Sequence, residues 1–105
     1  MANTYKNAKL DLTTTNATAL YTAASLTTGI VKSIIVSEDS GNADTVTLTL
    51  TNGSTVYSLF KTKAIGANAT VELLTAPLVI QPTEILKVTA ATANRLHVVA
   101  SVLEI

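Results

Sequence analysis

Thr45-Val46-Thr47-Leu48-Thr49-Leu50-Thr51-Asn52-Gly53 is the stretch whose reading decides the fold. Threonine alternates with aliphatic residues without a break. In an extended chain this puts Val46, Leu48 and Leu50 on one face and the threonines on the other. Asn52-Gly53 then supplies two residue types that tolerate positive φ, the requirement of a type I′ hairpin turn. A second strand-like run, Ser54 to Phe60, begins at once. A two-residue loop at Asn52-Gly53 would pair Leu50 with Thr55, Leu48 with Tyr57 and Val46 with Leu59. Tyr57 and Leu59 would thereby join the apolar face.

The same style extends in both directions. Thr, Val and Ile make up about a third of the chain. These β-branched types suit a pleated surface and are mediocre helix formers. Short strands are expected at Tyr5–Leu12, Ala19–Thr22, Gly29–Ser37, Thr45–Thr51, Ser54–Thr62, Thr70–Leu74, Leu78–Ile80, Ile85–Thr89 and Arg95–Glu104. Turn signals separate them, among them Ser40-Gly41-Asn42, Gly66-Ala67-Asn68, Pro77 and Gln81-Pro82. No window sustains a helical period. Short strands at this spacing predict an all-β fold: a compact, antiparallel, jelly-roll-like β-sandwich of about eight strands. The 105 residues make one domain by size. Residues 1–16 are either a strand of that domain or an N-terminal arm.

Two strands are apolar on both faces. Strict alternation in Gly29–Ser37 sets Val31 and Ile35 against Ile30, Ile34 and Val36. In the last strand Leu96, Val98, Ala100 and Val102 oppose Val99, Leu103 and Ile105. A two-sheet domain without helices can cover only one face of each strand. The other face points to a contact with another chain, or else to a tightly closed barrel or an N-terminal arm folded over it. Ile34, Val36, Val98, Val99, Val102, Leu103 and Ile105 are the candidate contact residues.

Composition narrows the function. Charged residues make up 13% of the chain, and seven basic residues balance seven acidic ones. Roughly a quarter charged is typical. A neutral, charge-poor surface carries no footprint for nucleic acid or an anionic membrane and resists self-association weakly. There is no cysteine, hence no disulfide, thiolate metal site or thiol nucleophile. No stretch approaches the roughly 20 apolar residues of a membrane helix. The N-terminus lacks a signal-peptide pattern.

Little in the chain suggests catalysis. His97 is the only histidine; without cysteine it cannot build a zinc site alone, and no nucleophile motif accompanies it. It reads as a structural or interface residue. The acidic run Glu38-Asp39-Ser40-Gly41-Asn42-Ala43-Asp44 has oxygens suited to Ca²⁺, but in an order that departs from the EF-hand loop. It reads as a solvated turn. No catalytic residue, metal site or cofactor is therefore expected.

Four stretches carry a resemblance. They are Ala19–Thr22; Ile30–Val36; Ala67–Leu74 with Pro77–Ile80; and Leu96–Glu104. In this order the chain resembles small β-sandwich structural proteins on the virions of tailed bacteriophages. The resemblance implies a non-enzymatic accessory, made in the host cytoplasm and carried on the virion. It would bind capsid, neck or tail subunits through apolar strand faces. A homo-oligomer is implied, with a trimer favoured; nucleic acid and membrane are not implied as partners. The alternative is a module on the same particle that binds carbohydrate or the host surface, with Tyr21 or Tyr57 beside Asn and Asp side chains.

Overall fold

The computed structural model describes residues 3–105. Nine strands follow in order: β1 (Thr4–Asp11), β2 (Thr18–Thr22), β3 (Gly29–Glu38), β4 (Asp44–Asn52), β5 (Thr55–Ile65), β6 (Thr70–Glu72), β7 (Leu78–Ile80), β8 (Ile85–Ala90) and β9 (Leu96–Glu104). The described residues form no helix. A five-stranded sheet runs β1-β9-β3-β6 with β7 also on β3, and a four-stranded sheet runs β2-β8-β4-β5. All neighbours are antiparallel.

β6 pairs with one end of β3 and β7 with the other, along the same edge. They are two pieces of one strand interrupted around Pro77, which cannot donate to a ladder. Taken as one, they leave eight strand positions in the order of a jelly roll. β1 pairs with β9 along its whole length. Thr4–Asp11 is thus an edge strand of the sheet and does not cross its outer face.

Leu96, Val98, Ala100 and Val102 of β9 and Val31, Ile34 and Val36 of β3 face Val46 and Leu48 of β4 and Leu86, Val88 and Ala90 of β8. All are buried, and Leu12, Ile65, Leu73 and Ile80 close the ends. Each large aliphatic chain so buried contributes about 1.5–3 kcal/mol.

Two expectations about register need correction. Asn52 pairs with Thr55, so the central turn residues are Gly53 and Ser54. Gly53 alone has positive φ, +60°. This is the arrangement of a type II′ turn, with glycine at the first central position. Leu50 therefore faces Tyr57, not Thr55. Two register shifts follow, so Phe60, not Tyr57, lies opposite Leu48 and packs on the core. Tyr57 and Leu59 stay exposed.

In β3 the register shifts between Val31 and Ser33, with Lys32 the additional residue. A bulge reverses the alternation beyond it. Val31 is buried together with Ile34 and Val36, while Ile30 and Ile35 face outward.

At one end of the sandwich the Tyr21 ring lies over Gly29. A β-carbon at Gly29 would stand 2.5 Å from the Tyr21 oxygen and 2.6 Å from a ring carbon. The Tyr21 hydroxyl donates to Glu104 Oε2 at 2.6 Å, and Lys6 Nζ lies 3.4 Å from Oε1. A β2 side chain thus ties the four-stranded sheet to β9 of the other. The Tyr21 hydrogen bond holds the Glu104 carboxyl below its usual range; burial opposes this and Lys6 adds to it. Burial, and then Glu104, push the Tyr21 phenol up.

Candidate functional site

The outer face of the five-stranded sheet is built by register. Tyr5 of β1 pairs with Leu103 of β9, Leu103 with Ile30 of β3, and Ile30 with Val79 of β7. Directly opposite residues share a face. These four side chains form one apolar row across four strands. A second row runs Lys9, Val99, Ile35 and Glu72. Between the rows lie Asn7, Ser101 and Ser33. Tyr5 is 76% exposed and Val79 51%; Val99, Ile105 and Ile35 are less open, at 42%, 42% and 40%. Leu103 and Ile30 are half-buried by their neighbours.

Of the seven residues singled out in the sequence, Val99, Leu103 and Ile105 lie on this open face. Val98, Val102, Ile34 and Val36 do not: all four are buried in the core. The two-sided pattern is real, but these four belong to the side that meets the opposing sheet. The sequence reading missed Tyr5, Ile30, Ile35 and Val79. Ile30 was hidden by the bulge at Lys32, and Tyr5 and Val79 join the row only through long-range pairing.

At one end of the same face, His97 stands between two carboxylates. Its Nε2 lies 3.2 Å from Asp11 Oδ1 and its Nδ1 3.4 Å from Asp39 Oδ2. A neutral imidazole has one N–H and can donate to only one of them; the protonated ring can donate to both. The ring thereby joins the end of β1 to the β3–β4 loop. The shallow depression beside it is lined by Lys9, Leu10, Asp11, His97, Val98 and Val99, and holds no hydroxyl or thiol nucleophile.

Asp39–Ala43 of the acidic run form the solvated turn expected, but its end residues Glu38 and Asp44 are buried. The Glu38 carboxylate accepts the backbone N–H groups of Ser40 at 2.7 Å, Gly41 at 3.1 Å and Asn68 at 2.9 Å, and the Ser40 hydroxyl. Burial pushes its pKa up, but these hydrogen bonds outweigh burial and hold it at about 2. Asp39 turns to His97, and Asp44 Oδ2 accepts the Thr92 N–H at 3.1 Å. The run's three carboxylates thus serve three separate structural contacts. Among the described residues, no three His, Asp or Glu side chains converge as metal ligands.

Tyr21, one of two candidate sugar platforms, is 6% exposed and engaged with Glu104. Its ring is not open for stacking. Tyr57 is half-exposed, on the outermost strand of the other sheet. Compared with known proteins, the chain matches no family model and no curated protein sequence.

Proposed function

We propose that this chain is a non-enzymatic structural accessory of a tailed-phage virion, docking on capsid, neck or tail subunits through the outer face of its five-stranded sheet. The observation that carries the proposal is the uncovered row Tyr5, Leu103, Ile30 and Val79, backed by Val99 and Ile35. Contiguous apolar surface of this kind marks interaction sites on soluble domains. Covering it against a neighbour removes apolar area from water, and the polar band of Asn7, Ser101 and Ser33 within it supplies orientation. The resemblance in the four stretches supplies the particle as the setting. Jelly rolls recur in viral capsid and lectin domains, so the fold is compatible with the setting by analogy. Many copies on one particle would make modest contacts effective together. A homotrimer is the stoichiometry suggested by the resemblance.

Leu103→Asp and Val99→Asp test the docking face. Both positions lie on the outer side, so the fold should survive, while a charge buried unpaired in the contact is costly. Particles assembled with either variant should lose the chain, measured by quantitative mass spectrometry of purified virions. Wild-type incorporation of a folded Leu103→Asp chain would reject this face as the contact.

A further inference from the structure

The edge of β5 is open and belongs to the sheet that does not carry the docking face. β5 is the outermost strand of the four-stranded sheet. An edge strand presents unpaired N–H and C=O groups to any extended chain, and proteins usually blunt such edges with charge, bulges or brevity. Three edges here are blunted. β1 carries Lys6 and Lys9. β2 is five residues long and its register shifts between Ala19 and Tyr21. β6 and β7 have three residues each. β5 carries its charges, Lys61 and Lys63, in its second half, and its register shifts at Leu59 and again around Thr62, whose φ is +50°. Its first half, Thr55-Val56-Tyr57-Ser58-Leu59-Phe60, has no charge, proline or glycine. Val56 is 60% exposed and Leu59 37%.

The ladder fixes which groups are free. In a two-residue hairpin the closing pair, here Asn52 and Thr55, is hydrogen-bonded, and bonding then alternates along the strand. Thr55 and Tyr57 direct their backbone groups to β4. Val56 and Ser58 direct theirs outward.

We propose that β5 pairs antiparallel with β5 of a second copy, about a two-fold axis at Tyr57. The segment is self-complementary in this register. Val56 lies opposite Ser58 of the other copy, and each such pair exchanges two main-chain hydrogen bonds. The two Tyr57 rings meet at the axis as a non-hydrogen-bonded pair, the closer of the two pair types. Lys61 lies beyond the register shift at Leu59, toward the far hairpin tip, where its charge stays in water. No like charges oppose one another anywhere in the paired segment. The result is one eight-stranded sheet across two copies with an isologous contact.

The chain contains no cysteine, so Tyr57→Cys introduces a single thiol at the axis. Cross-strand neighbours at that distance accept a disulfide. Under mild oxidation Tyr57→Cys should cross-link rapidly into dimers. Ser54→Cys, which this register holds about 20 Å from its counterpart, should not. Ser58→Pro deletes one outward N–H per copy without touching the β4 ladder. It should weaken the wild-type dimer about a hundredfold in sedimentation equilibrium, the effect of two lost hydrogen bonds. Cross-linking of Tyr57→Cys should persist when Leu103→Asp is added, which separates this proposal from the docking face. A monomeric wild type at high concentration, or Tyr57→Cys cross-linking no faster than Ser54→Cys, overturns it.

Discussion

Gly29→Ala should be among the most damaging single-atom additions to this protein. Gly29 does not need glycine for its backbone; it needs it for the ring above. A β-carbon there would stand 2.5, 2.6 and 2.8 Å from three atoms of the Tyr21 ring and hydroxyl. The ring cannot tilt freely, because Tyr21 is 6% exposed and its hydroxyl is fixed to Glu104. Forcing it aside costs about 1–3 kcal/mol of overpacking. Breaking the hydrogen bond to the charged Glu104 adds about 1.5–3 kcal/mol. The sum, about 2.5–6 kcal/mol, is a large share of the 5–15 kcal/mol typical of a domain. In a chain of this size it lowers the Tm by about 10 °C or more. Urea denaturation of wild type, Gly29→Ala, Tyr21→Ala and the double variant completes a cycle. In the Tyr21→Ala background the Gly29→Ala change should be close to neutral. A cost below about 1 kcal/mol in the wild type, or the same cost with and without the ring, would refute the packing argument.

Other outcomes follow from the same reasoning. Gly53→Val should cost about 1–2 kcal/mol in thermal melts through backbone strain alone, since φ is +60° and nothing lies within 4 Å of an added β-carbon; an unchanged Tm would contradict the turn assignment. Glu38 has its folded pKa lowered to about 2 from an ordinary 4.5. Its contribution is therefore complete above about pH 4.5 and is lost as pH falls toward 2. Acid titration of Glu38→Gln should be flatter than wild type across that window, and parallel curves would show that the loop does not depend on the carboxylate.

The residues most legible in the sequence were those whose environment is set locally. The Thr45–Thr51 alternation and the two faces of Leu96–Glu104 could be read directly, because side-chain direction in an unbroken strand has period two. The β3 bulge could not. Nothing about Lys32 in the sequence marks it as an additional residue; only pairing with β9 does, and that one insertion moved Ile30 to the surface and Val31 to the core. The hairpin was legible as a hairpin, but Asn52-Gly53-Ser54 accommodates two turn types, and choosing the wrong one displaced Tyr57 and Leu59. The docking row was half legible. Leu103 carried a signal through its doubly apolar strand, whereas Tyr5 and Val79 reach the row from opposite ends of the chain. Glu38 was misread because its partners include Asn68, thirty positions away; the nearby Ser40-Gly41 turn was the available clue to a carboxylate capping its own loop.

The central claim is that the outer face of the five-stranded sheet is covered on a phage particle. A high-resolution image of the intact virion tests it most directly. The account predicts density for this jelly roll with Tyr5, Leu103, Ile30 and Val79 packed against a neighbouring subunit. A virion that lacks the chain, or one that carries it with that row facing open solvent, would contradict the account.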